Sequence, residues 1–180
     1  MKHINIAWMI RTILITIILS TVFTLLSVTA LSETGYVLAV LLLFGLMVFG
    51  IVFDMVGVAV TAARQEPFHA MAARREKAAK QAISLIKNAD RVASFCNDVI
   101  GDIAGIVSGA GSAAIAARLV LDFGLPALPL SLLISAFVVG FTIAGKMIGK
   151  SLAIHNSTEI VMIAARVVYR VRFLFGRKSG

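Results

Sequence analysis

Four charged residues lie inside long apolar stretches of the sequence: Asp54, Asp98, Asp102 and Lys146. A charge in the core of a bilayer costs at least a few kcal/mol, so it normally faces a protein interior or a water-filled cavity. Asp98 and Asp102 are four residues apart and would share one face of an α-helix, with Asn97 beside that face. Mg²⁺ prefers oxygen ligands and keeps several waters, so two carboxylates and an amide could hold it, with Asp54 joining them. These residues predict a polar site within a membrane.

Lys146 leaves three interpretations of this site open. An ammonium group beside a metal site would lower its affinity for a cation by direct repulsion. Lys146 could instead pair with Asp54 or Asp98 as a buried structural ion pair. Its long apolar stem could also carry the charge to the nearby cytosolic interface, where water would solvate it.

The composition is that of a membrane protein. The chain has 180 residues, of which 59% are hydrophobic and 14% are charged, and its mean hydropathy is +0.97. Soluble domains have about 25% charged residues. The net charge of +8 comes from basic residues between the apolar runs, which favours membrane topology rather than nucleic-acid binding. The single cysteine, Cys96, excludes an intrachain disulfide and a multi-cysteine metal site.

An enzyme is not expected. The sequence contains no nucleophile–base arrangement, no phosphate-binding glycine loop and no zinc pattern. His69 and His155 are far apart and lack the spacing of metal ligands, so both are interpreted as surface histidines.

Four apolar runs predict four transmembrane helices, because a span needs about 20 apolar residues. They cover residues 8–31, 36–63, 92–120 and 128–149. The first run is longer than the apolar region of a signal peptide, which has about 7–15 residues, so it is interpreted as a retained helix.

The polar segment 64–91 is predicted to form cytosolic helices. Pro67 can begin a helix there, since its missing N–H is tolerated in the first turn. Phe68, Met71, Ile83 and Ile86 would form a loose apolar face opposite the basic residues of the segment.

Segment 156–180 is predicted to form an amphipathic helix at the membrane surface. Asn156, with Glu159 three residues later, is typical of a capping box at a helix start. Arg166 and Arg170 follow one turn apart and supply part of a basic face.

The basic residues also predict the orientation. Sixteen of the 17 Lys and Arg residues lie in the N-terminal region, in segment 64–91 or in the C-terminal part from Lys146 onward, and only Arg118 does not. The positive-inside rule then places both termini and segment 64–91 in the cytoplasm, as an even number of spans requires.

Small residues recur at helical spacing in two of the spans. Gly101, Gly105 and Gly109 lie four apart in the third span, and Gly145 and Gly149 lie four apart in the fourth. Small residues at this spacing let helices approach closely. Packing within one subunit and packing between two subunits of a homodimer are equally compatible with the pattern.

Four segments match, in order and spacing, the motifs of a known family. Phe-Asp-Met-Val-Gly-Val-Ala-Val-Thr at 53–61 corresponds to Phe-Ser-Gly-Ser-Glu-Ile-Ala-Leu-Thr, and Ile-Lys-Asn-Ala-Asp-Arg at 86–91 to Leu-Leu-x-x-Pro-Glu-Arg. Cys-Asn-Asp-Val at 96–99 corresponds to Gly-Asn-Asn-Leu, and 144–153 to Phe-Gly-Glu-Ile-x-Pro-Lys-Ser-Leu-Ala. Over roughly residues 43–170 the chain therefore resembles the transmembrane domain of the CorB/CorC and cyclin-M (CNNM) type magnesium transporters.

The resemblance implies a magnesium site in the membrane, but the chain departs from the family at that site. Asn97 matches the family's Asn. Asp54 replaces a Ser, Gly57 and Lys146 each replace a Glu, and Gly149 replaces a Pro. The cytosolic pair of nucleotide-binding CBS domains that usually follows is not expected in this chain, so it resembles a minimal or divergent member.

The sequence thus predicts an all-α, polytopic membrane bundle of about four transmembrane helices with cytosolic and interfacial amphipathic helices. An extra transmembrane helix occupies residues 1–35, a CNNM-like domain 36–155 and a basic juxtamembrane helix 156–180. The expected function is divalent-cation (Mg²⁺) transport through a cytosol-facing pocket of Asp54, Asn97, Asp98 and Asp102. The alternative is a non-transporting scaffold or regulatory subunit that keeps the fold without the metal site. The expected partners are the lipid bilayer, a second copy of the chain or another membrane protein.

Overall fold

The computed structural model describes residues 6–176. Every regular element within this range is helical, which confirms the prediction of an all-α fold. In chain order the helices are α1 (Ile6–Glu33), α2 (Tyr36–Ala62), α3 (Glu66–Ala73), α4 (Ala79–Lys87), α5 (Ala89–Ser94), α6 (Asp102–Phe123), α7 (Ala127–His155) and α8 (Ser157–Gly176). The π-helical turn Phe95–Gly101 joins α5 to α6, so one continuous helix runs from Ala89 to Phe123.

Three helices are long and apolar enough to cross a bilayer, and they match the second, third and fourth predicted spans. They are α2, the continuous helix Ala89–Phe123 and α7. Most apolar side chains of α7, including Leu128, Leu133 and Phe137, are exposed, as expected of a helix that faces lipid. These features support a membrane-embedded helical bundle.

The first predicted span and the orientation are not settled by these helices. α1 is a helix of 28 residues, and its described apolar stretch, Met9–Leu25, is shorter than the three spans. Lys2, Arg177 and Lys178, which contribute to the predicted orientation, lie outside the described residues. Four spans with cytoplasmic termini, and the domain boundaries at residues 35 and 155, therefore stay predictions.

The chain divides into two compact units that interleave along the sequence. The first unit contains the residues up to Gly50 together with Asp102–Ile143, and the second contains Ile51–Gly101 together with the residues from Ala144 onward. All three division points fall within helices: one in α2, one in the continuous helix Ala89–Phe123 and one in α7.

In the first unit, α1 packs along α6, and a small apolar core forms between α2, α6 and α7. Its buried residues are Ala39, Leu43, Met47, Ile115 and Val138. Ser108 and Ser112 of α6 are also buried. The Ser112 hydroxyl donates to the Gly109 carbonyl oxygen at 2.7 Å, which satisfies it within its own helix.

A polar cluster connects the start of α2 to the end of α6 in the first unit. The Tyr36 hydroxyl donates to the Asp122 carboxylate. The Arg118 guanidinium lies 4.9 Å from the centroid of the Tyr36 ring and donates to the Thr34 carbonyl oxygen at 2.8 Å. These contacts give Arg118, the one basic residue outside the predicted cytosolic segments, a structural role.

The second unit has a larger core, formed by the end of α2 with α3, α4 and α8. Phe68 is completely buried, Ile86 is buried, and Met71 and Ile83 pack against the core, which confirms the apolar face predicted for segment 64–91. Pro67 lies in the first turn of α3, as predicted. The predicted helix start at Asn156 is also confirmed, since α8 begins at Ser157.

The small residues do not all serve close packing. A Cβ at Gly145 would collide with the Ile51 side chain, and one at Gly149 would lie 3.5 Å from it. Among the described residues, in contrast, nothing lies within 4 Å of a Cβ placed at Gly105 or Gly109. Packing within one subunit therefore accounts for Gly145, whereas a Cβ at Gly149 would make only ordinary contacts and one at Gly105 or Gly109 none with the described residues.

Candidate cation site

Asp54 is a nearly completely buried charge in the second half of α2. The residue is only 4% exposed. Its Oδ2 lies 3.8 Å from the Lys150 Nζ, and the Lys150 side chain is 52% exposed. No hydrogen-bond donor among the described residues reaches Oδ2. The carboxylate therefore has a counterion at ion-pair distance but retains an acceptor without a donor.

Lys146 approaches the same carboxylate from one turn earlier on α7. A Cβ placed at Gly101 would lie 3.9 Å from both the Asp54 Oδ1 and the Lys146 Nζ, so these two atoms are at most twice that distance apart. The Cys96 carbonyl oxygen lies 3.4 Å from the same point. A carboxylate, an ammonium group and a carbonyl thus border the position of Gly101 at ordinary contact distance.

Asn97 occupies the space left by the missing side chain of Gly57. A Cβ at Gly57 would overlap the Asn97 Oδ1 and lie 2.8 Å from its Cγ. The Asn97 Oδ1 is buried and has no hydrogen-bond partner among the described residues. Since Asp54 and Gly57 are three residues apart on α2, the amide lies about one helical turn from the buried carboxylate.

The helix that carries Asn97 is π-helical at this point, a feature that the sequence did not predict. Residues 95–101 form i→i+5 hydrogen bonds in place of the i→i+4 bonds of an α-helix. Asp98 lies in this turn and Asp102 begins α6, and since four residues are close to one turn in both kinds of helix, the shared face of Asp98 and Asp102 stays a prediction. π-Helical turns inside α-helices frequently mark functional sites.

The four predicted ligands have different environments. Asp54 is buried and Asn97 is half-buried, whereas Asp98 and Asp102 are both exposed. Within residues 6–176, no group of three or more His, Cys, Asp or Glu residues is placed to hold a metal ion. The structure therefore brings the Asn97 amide close to the α2 face that carries Asp54, without an acidic cluster, and the ligand set itself stays a prediction.

Lys150 is the site residue that the sequence argument missed. The ion-pair interpretation named Lys146, but the ammonium within ion-pair distance of Asp54 belongs to Lys150. A signal was present, because Lys146 and Lys150 are four residues apart and share one face of α7. Lys146 itself is half-buried, and its Nζ lies beside Gly101.

The family comparison covers all of these residues. The model of the cyclin M transmembrane N-terminal domain matches residues 41–176. This range is close to the roughly 43–170 that the motifs predicted, and it leaves the whole of α1 outside the match. No match was found among curated proteins or among solved structures.

Proposed function

Since the chain belongs to the family of the cyclin M transmembrane N-terminal domain, we propose that it is a divalent-cation transport domain with Mg²⁺ as its cation. The observation that carries this proposal is the pair of buried oxygens, Asp54 Oδ2 and Asn97 Oδ1, that lack hydrogen-bond donors. Buried polar atoms normally have a partner, and an atom without one needs a physical explanation.

A partly hydrated cation would supply what these oxygens lack. Mg²⁺ usually keeps several of its waters and is held by one or two carboxylates. Those waters could donate to Asp54 and Asn97 without requiring a complete cage of protein ligands. In this proposal the exposed Asp98 and Asp102 attract the cation and line its approach, and the pocket opens toward the cytosol.

The two lysines would lower the affinity of the site for a cation, because their ammonium groups compete with the cation for Asp54. Lys146 and Lys150 each place a positive charge near Asp54, and a divalent ion must displace or tolerate them. Lys150 is half exposed, so its ammonium can move into water at little cost. If the Lys150 ammonium moves away when the cation enters, one of the two positive charges lies beside Asp54 at every step of transport. The Asp54 carboxylate is then neutralised throughout.

The same ion pair favours a second candidate function. Asp54 already has a counterion 3.8 Å away, and a compensated carboxylate does not require a metal. A scaffold or regulatory subunit that keeps the fold without transporting ions is compatible with this arrangement. The two functions differ in whether the chain alone moves Mg²⁺.

Mg²⁺ flux into proteoliposomes that contain only the purified chain distinguishes these functions. Transport predicts flux from the native chain, loss of most of it in Asp54→Asn, and little change in Glu66→Gln, which removes an exposed carboxylate of α3. A folded native chain without flux excludes transport by the chain alone and leaves the scaffold. Equal flux in native and Asp54→Asn protein would refute the assigned pocket.

A further inference from the structure

A groove in the second unit combines cationic side chains with an aromatic one, away from the candidate cation site. It has a volume of about 460 Å³ and lies between α8 and the turn before α4. Arg166, Tyr169 and Arg170 line it from α8, and Glu76 and Lys77 line it from the turn. Three positive groups and one negative group leave this groove with a net positive charge.

The three cations of the groove are available to a ligand. Lys77, Arg166 and Arg170 are exposed. Within the part of the chain that the structure describes, none of them lies within 4.0 Å of a carboxylate oxygen. The groove therefore carries a net positive charge whose three cations are not held in ion pairs with the described residues, and such a surface attracts an anion.

The position of the arginines on α8 indicates where such an anion comes from. Residues of an α-helix follow one another at about 100° around its axis. On this geometry Arg166 and Arg170 lie between the buried face, which contains Val161 and Ala165, and a stripe of Ile163, Val167 and Val171. The residues of that stripe are 59%, 56% and 48% exposed.

An exposed apolar stripe beside a row of arginines is the arrangement of a helix that lies in a membrane interface. In a helix of this kind the apolar side chains reach the acyl region, and arginines beside them lie at the depth of the headgroup phosphates. Arg donors match phosphate oxygens in a bidentate geometry, and the Tyr169 hydroxyl can donate as well.

From this arrangement we propose that the groove is a phosphate-binding site for the headgroup of an anionic membrane lipid. Lys77 and the two arginines hold the phosphate, and the acyl chains extend along the stripe of Ile163, Val167 and Val171. Glu76 opposes the anion and limits the affinity. The site is separate from the proposed cation pocket and does not depend on transport.

The test uses the full-length chain in neutral detergent and measures binding from the rise of its melting temperature. Dioctanoyl phosphatidic acid is the anionic probe, dioctanoyl phosphatidylcholine the zwitterionic control, and glycerol 3-phosphate the headgroup without acyl chains. We expect stabilisation by phosphatidic acid, weaker with added salt, and little effect of the other two. Equal stabilisation by phosphatidylcholine overturns the phosphate site, and equal stabilisation by glycerol 3-phosphate overturns the lipid as its source.

Matched variants locate the site. Each basic residue near an anionic surface contributes about a fivefold gain in affinity, so Arg166→Gln with Arg170→Gln should weaken binding of phosphatidic acid roughly thirtyfold. The control is Arg172→Gln with Lys80→Gln, which removes the same charge from exposed positions outside the groove. Glu76→Gln should strengthen binding. If the arginine pair does not fold, Lys77→Gln tests the opposite wall, and equal affinity of the native chain and the groove variants overturns the proposal.

Discussion

The Lys150 ammonium lies 3.8 Å from the Asp54 carboxylate, and the two side chains are 52% and 6% exposed. One partner of this ion pair is thus in contact with solvent and the other is buried in a transmembrane helix. Water screens the pair at the lysine, but the carboxylate depends on a nearby positive charge because it has almost no solvent of its own. The pair is therefore asymmetric, and its two residues should respond differently to substitution.

Removal of Lys150 should destabilise the fold moderately. Breaking a fully buried pair costs about 3–5 kcal/mol, whereas an exposed pair contributes about 0–1 kcal/mol. Since Lys150 is half exposed and Lys146 remains near Asp54, we expect Lys150→Met to lower the free energy of unfolding by about 1–3 kcal/mol. The measurement is denaturant unfolding in detergent, with Lys80→Met of α4 as the exposed control.

The double variant tests whether the effect comes from the pair. Asp54→Asn removes the charge that Lys150 compensates, so Lys150→Met should cost much less in that background. An equal cost with and without Asp54 would show that Lys150 does not stabilise the fold through this carboxylate.

Gly57 should not tolerate even the smallest side chain. A Cβ there overlaps the Asn97 amide, so Gly57→Ala must displace Asn97 or shift α2, and overpacking of this kind costs about 1–3 kcal/mol. Gly45→Ala on the same helix is the control, since nothing described lies within 4 Å of a Cβ at that position. Unfolding measurements should rank Gly57→Ala as destabilising and Gly45→Ala as neutral or stabilising, and Asn97→Ser should partly rescue Gly57→Ala. Equal stability of the two alanine variants would contradict the contact.

The sequence predicts the helices of the bundle more reliably than it predicts the site. A span is recognised from its apolar length, and α2 ends at Ala62, one residue before the predicted end. The π-helical turn at Phe95–Gly101 has no comparable sequence pattern, because its formation depends on how the helix packs. From the sequence, Lys146 was the expected counterion of Asp54, whereas the packing of α7 places Lys150 at ion-pair distance. Gly57 was identified as a departure from the family, whereas its steric reason required the position of Asn97.

Both termini should be cytoplasmic. The asymmetry of 16 basic residues to one predicts this, and the three confirmed apolar helices require α1 as a fourth span to make the number even. A reporter that is active only in the cytoplasm is fused after Gly180, and in a second fusion before Met1. Activity is expected from both fusions, and a silent but expressed reporter at either end would exclude the four-span topology.

The open small-residue face of α6 should lie at the contact of a homodimer. Gly109 and Ala113 are exposed, and a Cβ at Gly105 meets no described atom. Close helix approach between two copies would use this face. Ala113→Cys should form a crosslinked dimer in membranes, with little background from the buried Cys96, while Ala136→Cys on α7 should not. Failure of Ala113→Cys to crosslink above the Ala136→Cys level would argue against this dimer.

Lys146 should determine whether the pocket binds a cation tightly. It stands where the family has a Glu, and its Nζ shares the space beside Gly101 with the Asp54 carboxylate. Lys146→Glu removes a repelling charge and adds a second carboxylate near Asp54, while Lys150 remains as a counterion. Mg²⁺ prefers such an oxygen set.

We therefore expect Mg²⁺ to raise the melting temperature of Lys146→Glu at concentrations that leave the native chain unchanged. Lys80→Glu is the matched control, because it makes the same change of charge at an exposed position of α4 and should behave like the native chain. Asp54→Asn combined with Lys146→Glu should abolish the gain. If Lys146→Glu and Lys80→Glu respond equally to Mg²⁺, the gain is a nonspecific effect of net charge, and Lys146 does not face the pocket.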